Sequence, residues 1–388
     1  VLLLAQEGLV KLKEVYTDGT KIESVAGRYT FVWGNALKTQ KEKMARQLEE
    51  MWEYAQSIAD EEDTDPTPPD FKKVDKEKVE KTAQKIDKIL KGNPKASSKA
   101  KAKARYIAKN FPANLEKYEQ QEQLLGNRSS YSKTDPDATF MRMKEDHMKN
   151  GQLKPGYNVQ ISSEDQFIVN YTLHQDTNDI HTLRPHLENY EYLYQNLPET
   201  LTADAGYGSQ ENYELLSEKG IKGYVKFNTF DKEQNKAGKK RKEKAPFHRD
   251  QLYYNEKEDH YVCPMGQRME KIAQATKTTK SGYRQTVSKY SAKNCNGCPI
   301  RNVCFKGKYN RVIERNHALE HYKQKAREHL LSEIGEIKRR KRTADVEPVF
   351  AHIKSNRNFK RFTHRGLDKV ELEFGLHALA HNMRKKSA

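Results

Sequence analysis

Apolar and polar residues alternate most regularly between Tyr157 and Leu173. Tyr157, Val159 and Ile161 form one run, Phe167, Val169, Tyr171 and Leu173 a second, and S-S-E-D-Q lies between them. That pattern predicts a β-hairpin with one buried face. An earlier alternation over residues 9–22, with Val10, Leu12 and Val15 ahead of Thr17-Asp18-Gly19, predicts a strand ending at Asp18. Leu183, Leu187, Tyr190 and Tyr194 then predict a helix leading to Pro198 and to T-L-T-A-D-A-G-Y-G at 200–208. There a short strand ends in Asp204 and two glycines make a turn. Ser209 is placed to cap a helix that carries Leu215 and Leu216 and stops at Gly220. Residues 221–227 read as the next strand. The unit is βαβ-like, with Asp204 at the carboxyl end of its first strand, where open α/β sheets hold their chemistry. From this unit alone, an Asp that merely caps the turn fits equally well.

Helical spacing governs two other regions. Within 36–123, Met44, Leu48, Met51 and Tyr54 recur at helical intervals, as do Val79, Ala83, Ile86 and Leu90, with the breaker D-P-T-P-P-D between them at 65–70. Most lysines of this region belong to a solvated outer face. Near the end, a helix over 319–337 is followed by R-R-K-R-T-A-D-V-E-P-V-F-A-H-I-K at 339–354. Val346, Phe350 and Ile353 share an apolar stripe there, and Glu347 and Lys354, seven residues apart, lie on a neighbouring face. N-R-N-F-K-R-F-T-H-R-G (356–366) interleaves cations with Phe, a pattern suited to phosphates. A final helix carries Leu372, Leu376, Leu379 and Met383.

Composition narrows the partner. The chain has 388 residues, 35% hydrophobic and 32% charged, so a core is feasible while much of the chain stays solvated. Lys and Arg outnumber Asp and Glu by 71 to 54, for a net charge of +17. Such an excess favours a polyanion, most often nucleic acid. No long apolar run or amphipathic anchor supports a membrane, and V-L-L-L-A is too short and lacks the basic lead of a signal peptide. The chain begins at Val1 rather than Met, as a fragment would. Its four cysteines all fall in 230–316, a stretch opening on the basic run K-K-R-K-E-K and continuing as short strands rich in Tyr, Lys and Gly. Cys295, Cys298 and Cys304, with Cys263 upstream, have spacing that would place four thiolates around a tetrahedral zinc; four reduced structural cysteines are the alternative.

Three carboxylates thus stand at two strand ends and on one late helix: Asp18, Asp204 and Glu347. Hard oxygen ligands suit Mg²⁺ or Mn²⁺, and a two-metal site serves phosphodiester displacement. The chain resembles, over essentially its whole length, the DDE transposases of bacterial insertion sequences. D-G-T-K-I at Asp18, T-D-P-D-A at Asp135, G-Y-N-V-Q at Gly156, A-D-A-G-Y at Asp204 and V-E-P-V-F-A-H-I-K at Glu347 carry the resemblance in the family's order. It implies an α/β, ribonuclease H-like mixed sheet flanked by helices. The first-strand region would be 1–38, a helical insertion 39–130, the hairpin and Asp204 unit 131–229, a Cys-containing β insertion 230–316 and the C-terminal helices 317–388.

The resemblance also implies metal-dependent cleavage and strand transfer of DNA by Asp18, Asp204 and Glu347. The partners would be transposon ends and target DNA, the working form a homodimer on DNA, and the location the bacterial cytosol, with no membrane. Lys354, Arg357, Lys360, Arg361 and Arg365 would form the DNA-facing edge. Two departures stand out. In the family's Y-x2-R-x3-E-x6-K signature the Tyr position is Arg340 and the Arg position Thr343, with Arg342 one residue away. The N-terminal helical DNA-binding region of family members is also missing ahead of the first strand, as in a truncated copy. Asp135 and Asp137 compete with Asp18 for the first carboxylate, but Asp135-Pro136 reads as a turn. A nuclease of the same fold and a non-catalytic DNA-binding relic are the competing functions.

Overall fold

Strand β1 (Glu14–Glu23) runs through the middle of the main sheet and is buried on both faces. The computed structural model describes residues 1–59, 69–71, 75–143, 151–234 and 247–387. Two segments singled out in the sequence, most of D-P-T-P-P-D and all of K-K-R-K-E-K, lie outside the described residues. Antiparallel to β1 lies β5 (Leu153–Glu164), with Asp18 opposite Ile161 and Gly19 opposite Gln160. The far edge of β5 carries β6 (Phe167–His174) and, near its start, β4 (Thr139–Arg142). On the other side β1 pairs in parallel with β7 (Thr200–Ala203), and β7 with β8 (Lys222–Val225). The hairpin β5–β6 turns at Asp165 and Gln166, both at positive φ, as a two-residue hairpin turn requires. The sheet is mixed, flanked by helices and compatible with a ribonuclease H-like fold.

Alternation along β1 feeds two cores. Val15 joins Leu183, Leu187 and Tyr190 of α5 (Leu183–Tyr194), Leu215 and Leu216 of α6 (Gln210–Glu218), and Leu330 of α9 (His317–Leu331). Tyr16, on the opposite face, packs with Val346, Val349 and Phe350 of α10 (Glu333–Ala351) and Phe374 of α11 (Leu367–Ser387). Burial on both faces is what a central strand of such a sheet needs.

The strand does not end at Asp18. It starts at Glu14 and continues to Glu23, because its ladder with β5 runs unbroken past Asp18 and Gly19. Residues 9–13 are not strand either. Leu12 has positive φ, and the N–H groups of Lys11 and Leu12 both donate to the Glu164 carboxylate. A short α1 (Leu2–Gln6) precedes them.

Three helices, α2 (Gly34–Ile58), α3 (Lys76–Gly92) and α4 (Ser98–Leu125), bury Met44, Leu48, Trp52, Ile86, Leu90 and Ile107 in a core of their own. A two-stranded ribbon, β2 (Phe31–Trp33) with β3 (Ser130–Ser132), ties their root to the main body. After α7 (Phe230–Gln234), five antiparallel strands form a second sheet: β9 (Tyr254–Asn255), β10 (His260–Val262), β11 (Arg268–Thr278), β12 (Arg284–Ala292) and β13 (Val312–Arg315), with α8 (Arg301–Cys304) before the last.

The helix predicted over 319–337 is in fact two. Ser332 breaks it and accepts a hydrogen bond from Gly335 N, capping α10. Gly335 packs on the His329 carbonyl so closely that a Cβ there would lie 2.0 Å from its oxygen. In α11 the buried face is Val370, Glu373, Phe374, Ala378, His381 and Asn382, while Leu372, Leu376, Leu379 and Met383 are exposed. Asn382 explains that orientation, since its amide bonds both the N–H and the carbonyl of Ile168 on edge strand β6. Among the described residues no helix is long and apolar enough to cross a membrane.

Candidate active site

Asp18 and Glu347 meet through one guanidinium. Arg342 Nη1 lies 3.5 Å from Asp18 Oδ2 and Arg342 Nη2 3.4 Å from Glu347 Oε1. The strand carboxylate and the arginine are nearly buried, at 12% and 13% side-chain exposure, whereas the helix carboxylate is half exposed at 50%. Glu347 therefore forms the open wall of the site. Asp204 reaches the same end of the sheet through register: Ala203 pairs with Thr17, so the next residue leaves β7 beside Asp18. Asp204 also caps a short turn, accepting a hydrogen bond from Gly206 N at 2.8 Å. Capping and proximity to Asp18 are here properties of the same residue.

Tyr207, fully buried on that turn, links the groups electrostatically. Its phenol donates to Gln160 Oε1. Burial first, then the fields of Asp179, Asp18 and Asp204, hold its pKa far above that of an ordinary tyrosine, with Arg342 opposing. Asp179 has no counterpart among the sequence-derived candidates. It follows Asn178 in D-T-N-D, a stretch whose turn chemistry conceals a carboxylate that only folding brings to the centre.

Residues 262–386 match the family model described as "Transposase DDE domain". The match spans less than half of the chain and supports a DDE-type transposase. No curated protein and no solved structure matches it. The matched residues take in α9, α10 and α11, and with them Arg342 and Glu347; Asp18 and Asp204 precede them.

The other candidate residues sort differently. Lys354 is not on an open edge: it is 6% exposed, and its Nζ donates to Thr20 Oγ1 and the Lys21 carbonyl of β1. The cause is local, because α10 widens into a π turn at His352–Asn356, closed by Arg357 N to His352 O. An extra residue in the turn rotates Lys354 off the line of Glu347 and toward the sheet. Arg357, Arg361 and Arg365 each spend a guanidinium N–H on a backbone carbonyl, of Ala380, Ser24 and Val25 respectively. Lys360 is exposed. Asp135 is fully buried beneath hydroxyls of Ser24 and Tyr157 and the N–H of Gly366. Asp137 accepts from Leu367 N at the start of α11. These two carboxylates serve the loop ahead of α11.

Around the four free thiols, backbone N–H groups of Gln267 and Arg311 donate to the sulfurs of Cys263 and Cys295, and the Arg311 guanidinium donates to Cys304 Sγ at 2.9 Å. Among the described residues no three His, Cys, Asp or Glu side chains are grouped so that they could hold a metal ion. At the carboxylates, the Arg342 guanidinium stands between two of the three.

Proposed function

We propose that this transposase cleaves DNA strands and joins the freed ends to target DNA, with Asp18, Asp204 and Glu347 as its catalytic carboxylates. The observation that carries the proposal is the sharing of Arg342 by Asp18 and Glu347, at the sheet end where Asp204 emerges. By their chemistry the hard oxygen donors of the three elements suit Mg²⁺ or Mn²⁺, once Arg342 gives way between Asp18 and Glu347. When bound, such ions activate a water or a 3′-hydroxyl and stabilise the leaving oxygen.

The chain's own residues supply the rest. Arg342 provides the counter-charge that lets two carboxylates approach while the site is empty of DNA, and its guanidinium is suited to a phosphate once they are otherwise neutralised. Lys354 braces β1 at Thr20 and Lys21, just beyond Asp18, and so keeps that carboxylate aimed at the site. Lys360, with Arg357, Arg361 and Arg365 around it, is proposed to hold DNA phosphates. Cys263, Cys295, Cys298 and Cys304 are proposed as a structural zinc site, a set of soft sulfur donors for which the sulfurs must draw together.

The test uses labelled duplexes taken from the DNA that flanks the gene on either side, with Mn²⁺ and purified protein. Asp204→Asn and Glu347→Gln are expected to abolish cleavage while DNA binding persists. Wild-type cleavage without any joining to target DNA would make the protein a nuclease. Unimpaired cleavage by both variants would refute the assigned carboxylates.

A further inference from the structure

Asp179 is built into the fold with unusual care for a residue in a short turn. Asn158 and Gln160, both fully buried and on the same face of β5, point their amides at its Oδ1, at 2.7 and 3.1 Å. Buried amides are costly unless satisfied, so two of them directed at one oxygen fix the carboxylate firmly. Its backbone is pinned as well, because Thr182 donates to the Asp179 carbonyl through both its N–H and its hydroxyl.

This carboxylate occupies space that two glycines leave open. A Cβ on Gly19, next after Asp18, would lie 3.0 Å from Asp179 Oδ1. A Cβ on Gly206, two residues after Asp204, would lie 3.3 Å from Asp179 Oδ2 and 2.9 Å from Asp204 Oδ1. Asp179, together with Gln160 at Gly19, thus stands where a side chain on the glycine just past each strand carboxylate would lie, on the α5 side of the sheet. Oδ2 accepts no hydrogen bond among the described residues, and it faces the same point as Asp204 Oδ1. Oxygen donors of this kind are the ligands that a hard divalent cation takes.

We propose that Asp179 is a positioning residue of the catalytic centre: it fills the space beside Gly19 on β1 and beside the Gly206 turn, and its second oxygen adds the negative field that draws a divalent cation to Asp204 and Asp18. The inference rests on the metal-dependent reading of the site given above. It adds a fourth carboxylate, acting through the other residues rather than on DNA.

Thermal unfolding of the full chain during Mn²⁺ titration tests this without any activity assay. Asp179→Asn keeps an oxygen to accept from Asn158 and Gln160 and removes only the charge. It should unfold no earlier than wild type in the absence of cation, since like-charge repulsion is relieved. It should need roughly tenfold more Mn²⁺ for half-maximal stabilisation, the scale expected for a charge about 4–6 Å away. Asp179→Ser, smaller and uncharged, is held to the same Mn²⁺ result and serves if the first variant folds poorly. A Mn²⁺ midpoint unchanged in both variants, with a wild-type response that Asp204→Asn abolishes, overturns the role of Asp179 alone. No Mn²⁺ response in wild type overturns the metal-centre reading and this inference with it.

Discussion

At the scale of single residues, burial decides charge state here as strongly as chemistry does. His186 is 1% exposed, with ring nitrogens bonded to the hydroxyls of Ser162 and Thr172. Burial first, and His174 second, push its pKa down to about 3. The folded protein therefore keeps this imidazole neutral, while an unfolded chain protonates it near 6.5. Only the unfolded state gains a proton between those values, so stability is full above about pH 6.5 and falls as pH drops toward 3. The slope for one such group is about 1.4 kcal/mol per pH unit. His186→Gln should flatten the fall of Tm between pH 6 and pH 4, whatever its effect on Tm at neutral pH. An unaltered slope would mean that other groups carry the acid sensitivity.

At the scale of elements, the sheet β9–β13 is the part least able to hold itself together. Its core is five residues, Tyr261, Met269, Tyr290, Ala292 and Ile313, and most of β11 is exposed. A core that small rarely suffices without a covalent or metal staple. The cysteines flank it: Cys263 follows β10, and Cys295 and Cys298 follow β12. Metal analysis of purified protein should find one zinc per chain, and a chelator should lower the melting temperature, with Cys295→Ser reproducing that loss. Protein free of zinc and indifferent to the chelator would leave four reduced cysteines in a polar sheet.

At the scale of the molecule, the charge of +17 acts through particular exposed cations. Lys360 stands in the segment that joins α10 to α11, where its own carbonyl accepts from Glu23 N at the end of β1. Backbone hydrogen bonds thereby join β1 to the segment that carries the proposed phosphate contacts. Lys360→Ala should weaken DNA binding and flatten the slope of log K against log salt by about 0.9, the loss of one phosphate contact. A variant with the wild-type slope would remove this edge from the DNA interface.

Local pattern alone determined the elements whose neighbours in sequence are also their neighbours in space. The hairpin β5–β6, the β7–α6–β8 unit with Ser209 as its cap, and the helices α2 and α3 follow from periodicity, because backbone hydrogen bonding and an apolar face suffice to define them. The sequence also put forward Asp18, Asp204 and Glu347, from the strand-like and helical runs that carry them and from the motifs around them. Tertiary structure decided what distance in sequence conceals. Whether β1 continued past Asp18 depended on β5, some 140 residues later, offering a partner for every residue to Glu23. A π turn rather than an α turn sent Lys354 into the sheet, and two buried amides of β5 made an ordinary loop Asp into part of the centre. Arg342 came between Asp18 and Glu347 for the same physical reason. A salt bridge between strand and helix has no periodic signature, and only packing α10 across β1 creates it.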